Sequence, residues 1–550
     1  MALTIETTSS GAAQKPRLHP LTYGILIAAA LFALYFAALG RYPLMDPDEP
    51  VYGQVAKEMA AGRGWLTPHY LGQPWFDKPP LYYWLSATSA SLLGPTELAV
   101  RLPSAILAVG LVFLVYALAS YDFGRRASVF SAIAMATCLQ QIVLAHASVT
   151  DMTLVFCLTA ALYAYRRWIG ASGRARFRWI VLCGAMTGLG MLAKGPVAPV
   201  LLAATFTIHL WWTGRLRHLA SLEALAGIAA AVAVGAPWYL AMWTLHHDTF
   251  VQGFLVANNV VRFLKPEHAN VTGHWYSFLL NVPVLLVFFF PWSVFLPQGL
   301  VRAWRVNEGA RLASVWFAVV FIFFSISKTQ LVTYIFPLYP AAAIFVGVLW
   351  GSAASGDSRD ARGVRSALWA ALGISVLVAA GLVMYANAKY PEAARAALVL
   401  GAIMVVTVAA ALAWTIRCKR DTGGKPVWIL GTGMAVFTLW IMCGVMPLAA
   451  PRASTRDLVQ RIPGADGARI IEMLRSRRQS MVFYLGRRPE HALDASAARR
   501  LLSERTPTFV ICKEAAAEQL RTPGAVLWAK SGGLVVFANE AAYRKGSKAR

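Results

Sequence analysis

Apolar stretches recur along residues 22–447, and short charged segments separate them. A bilayer's hydrocarbon layer is matched by a helix of about 20 apolar residues. Thirteen runs approach that length, near 22–40, 101–121, 127–145, 150–168, 178–193, 196–213, 223–241, 277–297, 312–327, 330–350, 366–386, 395–416 and 427–447. Two longer polar segments interrupt them, 41–100 and 242–276; the first holds amphipathic pieces around Val51, Val55 and Met59 and around Leu81, Trp84 and Leu85. After 447 the rhythm changes. Short β-like runs at Arg469–Ile471, Met481–Leu485, Thr508–Cys512 and Leu534–Phe537 alternate with helical ones at Thr455–Arg461 and Ala515–Arg521, which is the alternation of a small α/β unit. The expected fold is an α-helical polytopic membrane protein of thirteen transmembrane helices, residues 1–447, followed by a small α/β domain, residues 448–550.

Composition sharpens this. Of 550 residues, 58% are apolar and 14% charged, and mean hydropathy is +0.54, which excludes an ordinary soluble enzyme, a disordered chain and a disulfide scaffold. The six cysteines include no pair at CxxC spacing. The net charge of +25 would suit nucleic acid, but its placement points elsewhere. Thirteen crossings starting inside leave seven inward segments, and these hold 21 basic and seven acidic residues, among the basic ones Arg125/Arg126, the five arginines of Arg166–Arg178 and Arg215/Arg217. That bias is the positive-inside signature. It puts the N-terminus in the cytoplasm and the tail on the outer, periplasmic side. The tail is itself basic, with 19 basic against nine acidic residues, and suits anionic headgroups. No nucleic-acid partner is needed.

The candidate chemistry lies at outward ends of the spans. Asp46-Pro47-Asp48-Glu49-Pro50 puts three carboxylates directly after the first span. Asp48 can be read as a helix N-cap with Pro50 in the first turn, or as a general base with Glu49 beside it. Phe76-Asp77-Lys78-Pro79-Pro80-Leu81-Tyr82-Tyr83-Trp84 offers Lys78 as a point charge for phosphate. Asp151 opens the fourth run, where an ionisable group is costly and functional by default. Lys194 and Lys328 sit in short outward turns, with Tyr334 just beyond, and the second long loop adds Arg262. Asp48, Glu49 and Asp151 are the candidate catalytic residues; Lys78, Lys194, Arg262, Lys328 and Tyr334 are the candidates for a donor phosphate. Glu267, His268 and His274, with Asp77, form a candidate divalent-metal set; no cofactor is otherwise indicated. No inward loop reads as an acidic constellation, and neither a P-loop nor a dinucleotide fingerprint occurs. An activated donor on the outer side must therefore come on a lipid.

These residues resemble the GT-C glycosyltransferases that use lipid-linked sugars, most of all the bacterial aminoarabinose lipid A transferases, near the protein O-mannosyltransferases. The resemblance rests on Asp48-Glu49-Pro50-Val51-Tyr52, Ala56-Lys57-Glu58-Met59, Phe76–Trp84, Asp151, Leu192-Ala193-Lys194-Gly195-Pro196, Arg262-Phe263 and Lys328–Tyr334. It implies a GT-C fold in the bacterial inner membrane. It also implies transfer, inverting or retaining, of an aminoarabinose-like sugar from undecaprenyl phosphate to lipid A at the periplasmic face. In that reading Asp48 is the essential outer-loop aspartate, Asp151 the second acid and Lys78 the phosphate-binding lysine. Val51 and Asp77 stand where those transferases usually carry Arg and Glu. Two alternatives are a protein O-glycosyltransferase with the same lipid-linked donor and a lipid flippase or transporter; charges gathered only at outward ends disfavour the latter.

Overall fold

A computed structural model describes residues 20–265, 279–304, 306–418, 424–462, 467–473 and 478–547. The chain opens with α1 (Pro20–Tyr35), then α2 (Asp48–Ala60), a two-stranded hairpin of β1 (His69–Tyr70) and β2 (Gln73–Pro74), and α3 (Leu81–Leu93). The bundle continues through α4 (Glu97–Ala136), α5 (Leu139–Ala145), α6 (Asp151–Gly170), α7 (Gly173–Lys194), α8 (Val197–Trp212) and α9 (Leu222–Phe250). A π-helical stretch, Val251–Val261, carries α9 into the short α10 (Arg262–Leu264). Then come α11 (Asn281–Phe288), α12 (Leu296–Ala303), α13 (Glu308–Ile326), α14 (Tyr339–Ala354), α15 (Ser358–Lys389), α16 (Ala394–Arg417), α17 (Lys425–Trp440) and α18 (Met446–Ala453).

All thirteen apolar runs fall on helical structure. Among the described residues, however, eight helices are long and apolar enough to cross a membrane, and nine if the pair 281–288 and 292–303, bent by 111°, is one span. The chain is a multi-pass membrane protein. The difference from thirteen has local causes. Two of the runs join end to end in α4, two helices meeting at a kink where Gly124 takes φ +77° beside Arg125 and Arg126. The apolar helices Ile25–Tyr35 and α8 are short, and α6 carries Asp151, Arg166 and Arg167.

The core is built from small residues that let helices approach and large ones that fill the space between. Gly184 and Gly188 on α7 face Gly227 and Ala231 on α9; a Cβ on Gly184 would strike the Gly227 carbonyl. This is the small-residue packing that membrane helices use in place of a hydrophobic driving force. Trp168, Trp292, Trp316 and Trp350 are fully buried.

Past α18 comes α19 (Arg456–Val459), then β3 (Arg469–Met473), α20 (Gln479–Leu485), β4 (Glu490–Ala492), α21 (Ala495–Leu502), β5 (Thr508–Lys513), β6 (Val526–Ser531), β7 (Leu534–Ala538) and α22 (Glu540–Ser547). The strands form one mixed sheet in the order β4-β3-β5-β7-β6, parallel across β4-β3-β5 and antiparallel across β5-β7-β6. The run Met481–Leu485, expected as a strand, is helical, and β4 and β6 lie outside the expected runs. Periodicity could not separate strand from helix there, because Ser480, Met481, Val482 and Phe483 are all buried. Docking against α2 decides it. The Ser480 N–H and hydroxyl both donate to the Asp46 carboxylate at 2.7 Å, and Lys57 donates to the Phe483 carbonyl at 3.2 Å.

A candidate glycosyl-transfer site

Asp48 is the first residue of α2, with Pro47 at the cap position and no side-chain cap. The N-cap reading of Asp48 is therefore corrected: it lies in the first turn, where the helix dipole favours a carboxylate. Its side chain is open to solvent, and it makes no hydrogen bond or ion pair with a described residue. Loss of hydration raises its pKa above the ordinary carboxylate value, and repulsion from Asp151 and Asp77 raises it further, against the pull of Lys78 and Arg262. Those five groups thus share one electrostatic neighbourhood.

Each comes from a different place in the chain. Pro79 and Pro80 end the loop at α3, leaving Asp77 and Lys78 paired at 3.0 Å. Tyr52, one turn into α2, donates to Asp77 at 3.5 Å, and Arg262 stands 3.9 Å from the same carboxylate. Burial lowers the pKa of Lys78 below the ordinary lysine value; Arg262 and Lys194 add to this and Asp77 opposes it. Asp151 begins α6 and accepts from Lys194 at 2.7 Å. The Lys194 ammonium also lies 4.9 Å from the centre of the Tyr334 ring, a cation–π geometry. Lys194 ends α7 because Gly195 turns the chain at φ +85°, and a Cβ at Gly195 would crowd Phe254 and Asn259.

Three carboxylates and three cations therefore converge. Asp77, Lys78, Lys194, Arg262 and Tyr334 line a cavity of about 460 Å³ together with the apolar Val197, Val200, Phe254, Phe263, Phe323 and Phe324. Positive charge beside an apolar wall suits a lipid phosphate.

Two of the expected residues stand elsewhere. Glu49 is 5% exposed and takes both oxygens to Arg101, at 2.9 and 2.8 Å. It also accepts from the Met45 and Ser148 N–H groups, while Arg101 binds the carbonyls of Leu39, Tyr42 and Pro43. The Glu49–Arg101 clamp fixes the loop that presents Asp48 and ties it to the loop before Asp151. Lys328 is exposed and does not line the cavity; its N–H donates to the Phe263 carbonyl at 2.9 Å. Glu267, His268 and His274 lie outside the described residues. Among the described ones no group of three His, Cys, Asp or Glu could hold a metal ion, and Asp77 is engaged by Lys78 and Tyr52.

The sequence reading missed Asn258 and Asn259, which line the cavity from the π-helical stretch. Asn258 donates to the Phe76 carbonyl at 3.2 Å and Asn259 to the Phe254 carbonyl at 2.7 Å. Adjacent amides in an otherwise apolar run were the available signal. A second charged network lies at the far end of the bundle. Arg166 bridges Asp122 at 2.7 Å and stands 3.9 Å from Glu308, and Glu308 also pairs with Arg215. Two carboxylates and two arginines meet there, from three helices and the turn at Arg215.

Among solved structures the likeness is one of fold. Over 95% of this chain and 98% of the other, the structure superposes on ArnT from Cupriavidus metallidurans bound to undecaprenyl phosphate, with TM-score 0.78 and 23% sequence identity. The apo form of that protein gives TM-score 0.79 at 22% identity. The particular resemblance is carried by sequence. The undecaprenyl phosphate-alpha-4-amino-4-deoxy-L-arabinose arabinosyl transferase of Erwinia tasmaniensis is 30% identical over 58% of each chain, and that of Pseudomonas aeruginosa 31% over 59% of this chain and 58% of its own. The second such transferase of Pseudomonas fluorescens is 27% identical over 78% of this chain and 71% of its own. The match thus spans less than two thirds of the length of the first two. Residues 77–243 match the dolichyl-phosphate-mannose-protein mannosyltransferase family. The resemblance to the aminoarabinose transferases holds over the chain.

Proposed function

We propose that this protein transfers 4-amino-4-deoxy-L-arabinose from undecaprenyl phosphate to lipid A, at the periplasmic face of the bacterial inner membrane. The observation that carries the reading is the meeting of Asp48, Asp77 and Asp151 with Lys78, Lys194 and Arg262 beside a largely apolar cavity that Asp77 and the three cations line. The names of its relatives support the same chemistry. Thirteen crossings with the N-terminus inside and the tail outside follow from the charge bias of the loops.

The reaction is a single displacement. An acceptor phosphate oxygen attacks the anomeric carbon, the bond from that carbon to the polyprenyl phosphate oxygen breaks, and its electron pair leaves with the phosphate. Lys78 and Arg262 face that developing charge, with Lys194 behind them. Such preorganised charge is usually the largest single contribution to rate. Asp48, which has no partner among the described residues, orients the acceptor and takes its proton when it carries one. Asp77 and Asp151 hold the cations in place. No step is assigned to a metal ion.

Mass spectrometry of lipid A from cells with and without the gene tests this. The expected result is an aminoarabinose mass increment that depends on the gene and is lost in Asp48→Asn. The match over residues 77–243 favours a second reading, transfer to protein Ser or Thr. Unchanged lipid A with gene-dependent glycoproteins would establish that one instead.

A further inference from the structure

A second polar cavity, of about 550 Å³, opens between α2, the β1–β2 hairpin and the end of α20. Its walls carry Gln54, Glu58, Arg63, Tyr70, Arg487 and Arg488. The walls come from opposite ends of the sequence and are locked together: the Tyr70 hydroxyl donates to Gln479 at 2.7 Å, and Lys57 to the Phe483 carbonyl. Glu58, the only carboxylate among the described residues of the wall, is already consumed. It accepts from the Leu71 and Gly72 N–H groups at 2.7 and 3.0 Å and from the Gln54 amide at 2.7 Å. The arginines differ. Arg63 and Arg488 are exposed and form no ion pair with a described residue, and Arg488 is steadied 5.8 Å over the Tyr70 ring. Gln54 is 3% exposed, yet its Oε1 has no partner among the described residues. A buried amide oxygen without a donor costs of the order of 1–3 kcal/mol, so a hydroxyl-bearing ligand would relieve it. The cavity thus offers positive charge for an anion and an acceptor atom for a hydroxyl.

We infer that this cleft is an acceptor subsite that holds a second phosphate and adjoining sugar hydroxyl of the acceptor glycolipid, away from the phosphate that receives the sugar. The inference rests on the proposed function. Gln54 and Glu58 lie six and ten residues beyond Asp48 on α2, about 9 and 15 Å along the axis at 1.5 Å per residue. That is too far for the reacting atoms and within reach of a remote part of one sugar-phosphate headgroup. Contacts made there serve binding and orientation at Asp48. They also give the C-terminal domain a role, since Arg487 and Arg488 belong to it.

The test uses the full-length protein in detergent, the undecaprenyl-phosphate-linked donor and two acceptors: lipid A with both phosphates, and the same lipid with only the phosphate that receives the sugar. For the wild type, the bisphosphorylated acceptor should have the lower KM, by about tenfold for two charge-assisted contacts. In Arg63→Gln/Arg488→Gln the two KM values should converge. A preference that survives in the double variant, or its absence in the wild type, overturns the subsite while leaving the proposed function standing. Transfer to neither acceptor by the wild type overturns the function and the subsite together. Millimolar inorganic phosphate should compete with the bisphosphorylated acceptor only; equal inhibition with both acceptors identifies a free-phosphate site and overturns the assignment to the acceptor.

Discussion

The two ends of the bundle are built from the same residue types and do opposite things. At one end Asp122, Glu308, Arg166 and Arg215 close on one another. Arg166 meets Asp122 through two nitrogens, and Arg167 is stacked on Trp179 at 4.6 Å and Tyr121 at 5.1 Å. At the other end Asp77–Lys78 and Asp151–Lys194 form pairs as short, but they border a cavity, and Asp48 beside them has no partner among the described residues. A closed network saturates its charges and stabilises packing. An open one leaves charge available to a ligand. Residue type alone does not separate the two cases.

This contrast can be broken from either side. The largest effect is expected from Asp48→Asn, which should lower transfer by roughly 10²–10⁴-fold, the usual worth of a positioned acid or base. It should leave the thermal unfolding midpoint of the purified protein unchanged; full activity would remove Asp48 from the chemistry. Lys78→Met should lower kcat by about 10²–10³-fold, as loss of one preorganised charge does, in a single-turnover assay with saturating donor. Arg166→Met should do the converse. Stranding the Asp122 carboxylate, 5% exposed, should cost about 3–5 kcal/mol, read as a lower midpoint in thermal unfolding with kcat at low temperature preserved. If Arg166→Met instead lost activity at full stability, the far end would not be merely structural.

A finer probe is pH. In the proposed reaction Asp48 acts as a carboxylate, and its pKa is raised, first by partial loss of hydration and then by Asp151 and Asp77. Activity should therefore fall as pH drops through a value above that of an ordinary aspartate. Lys78 lowers that pKa, so Lys78→Met should move the acid limb of the kcat/KM profile to higher pH; an unmoved limb would mean that another group titrates. The smallest effect is expected from Ser480→Ala, which removes one of two Ser480 hydrogen bonds to Asp46, two residues before Asp48. Its loss should cost about 1 kcal/mol of stability and a few-fold in kcat, with KM for the donor unchanged.

Much of this was legible in the sequence for plain reasons. Helical runs of apolar residues, basic loops and a tail of changed rhythm are local properties, and Asp48, Lys78, Asp151, Lys194 and Arg262 lie in segments short enough to carry their own signal. Glu49 shows where that reading ends. It neighbours Asp48 in sequence, yet successive residues on a helix point about 100° apart, and Arg101, 52 residues away, claims its carboxylate. The Asp122 and Glu308 network was invisible because its members come from three distant helices and the turn at Arg215. Helix or strand at Met481–Leu485 was undecidable because every wall of that segment is buried.

By itself the sequence determined that the chain is a multi-pass membrane protein, which segments carry acids and bases, and which family its motifs resemble, because hydropathy, loop charge and short motifs act over a few residues. Only the tertiary structure decided which site carboxylate has no partner among the described residues, which pairs face a cavity, and that the C-terminal domain lends Ser480 to the Asp46 loop and Arg488 to a second cleft. Those outcomes depend on which groups share a few ångströms of space, and a charge is spent or available according to what packing puts beside it.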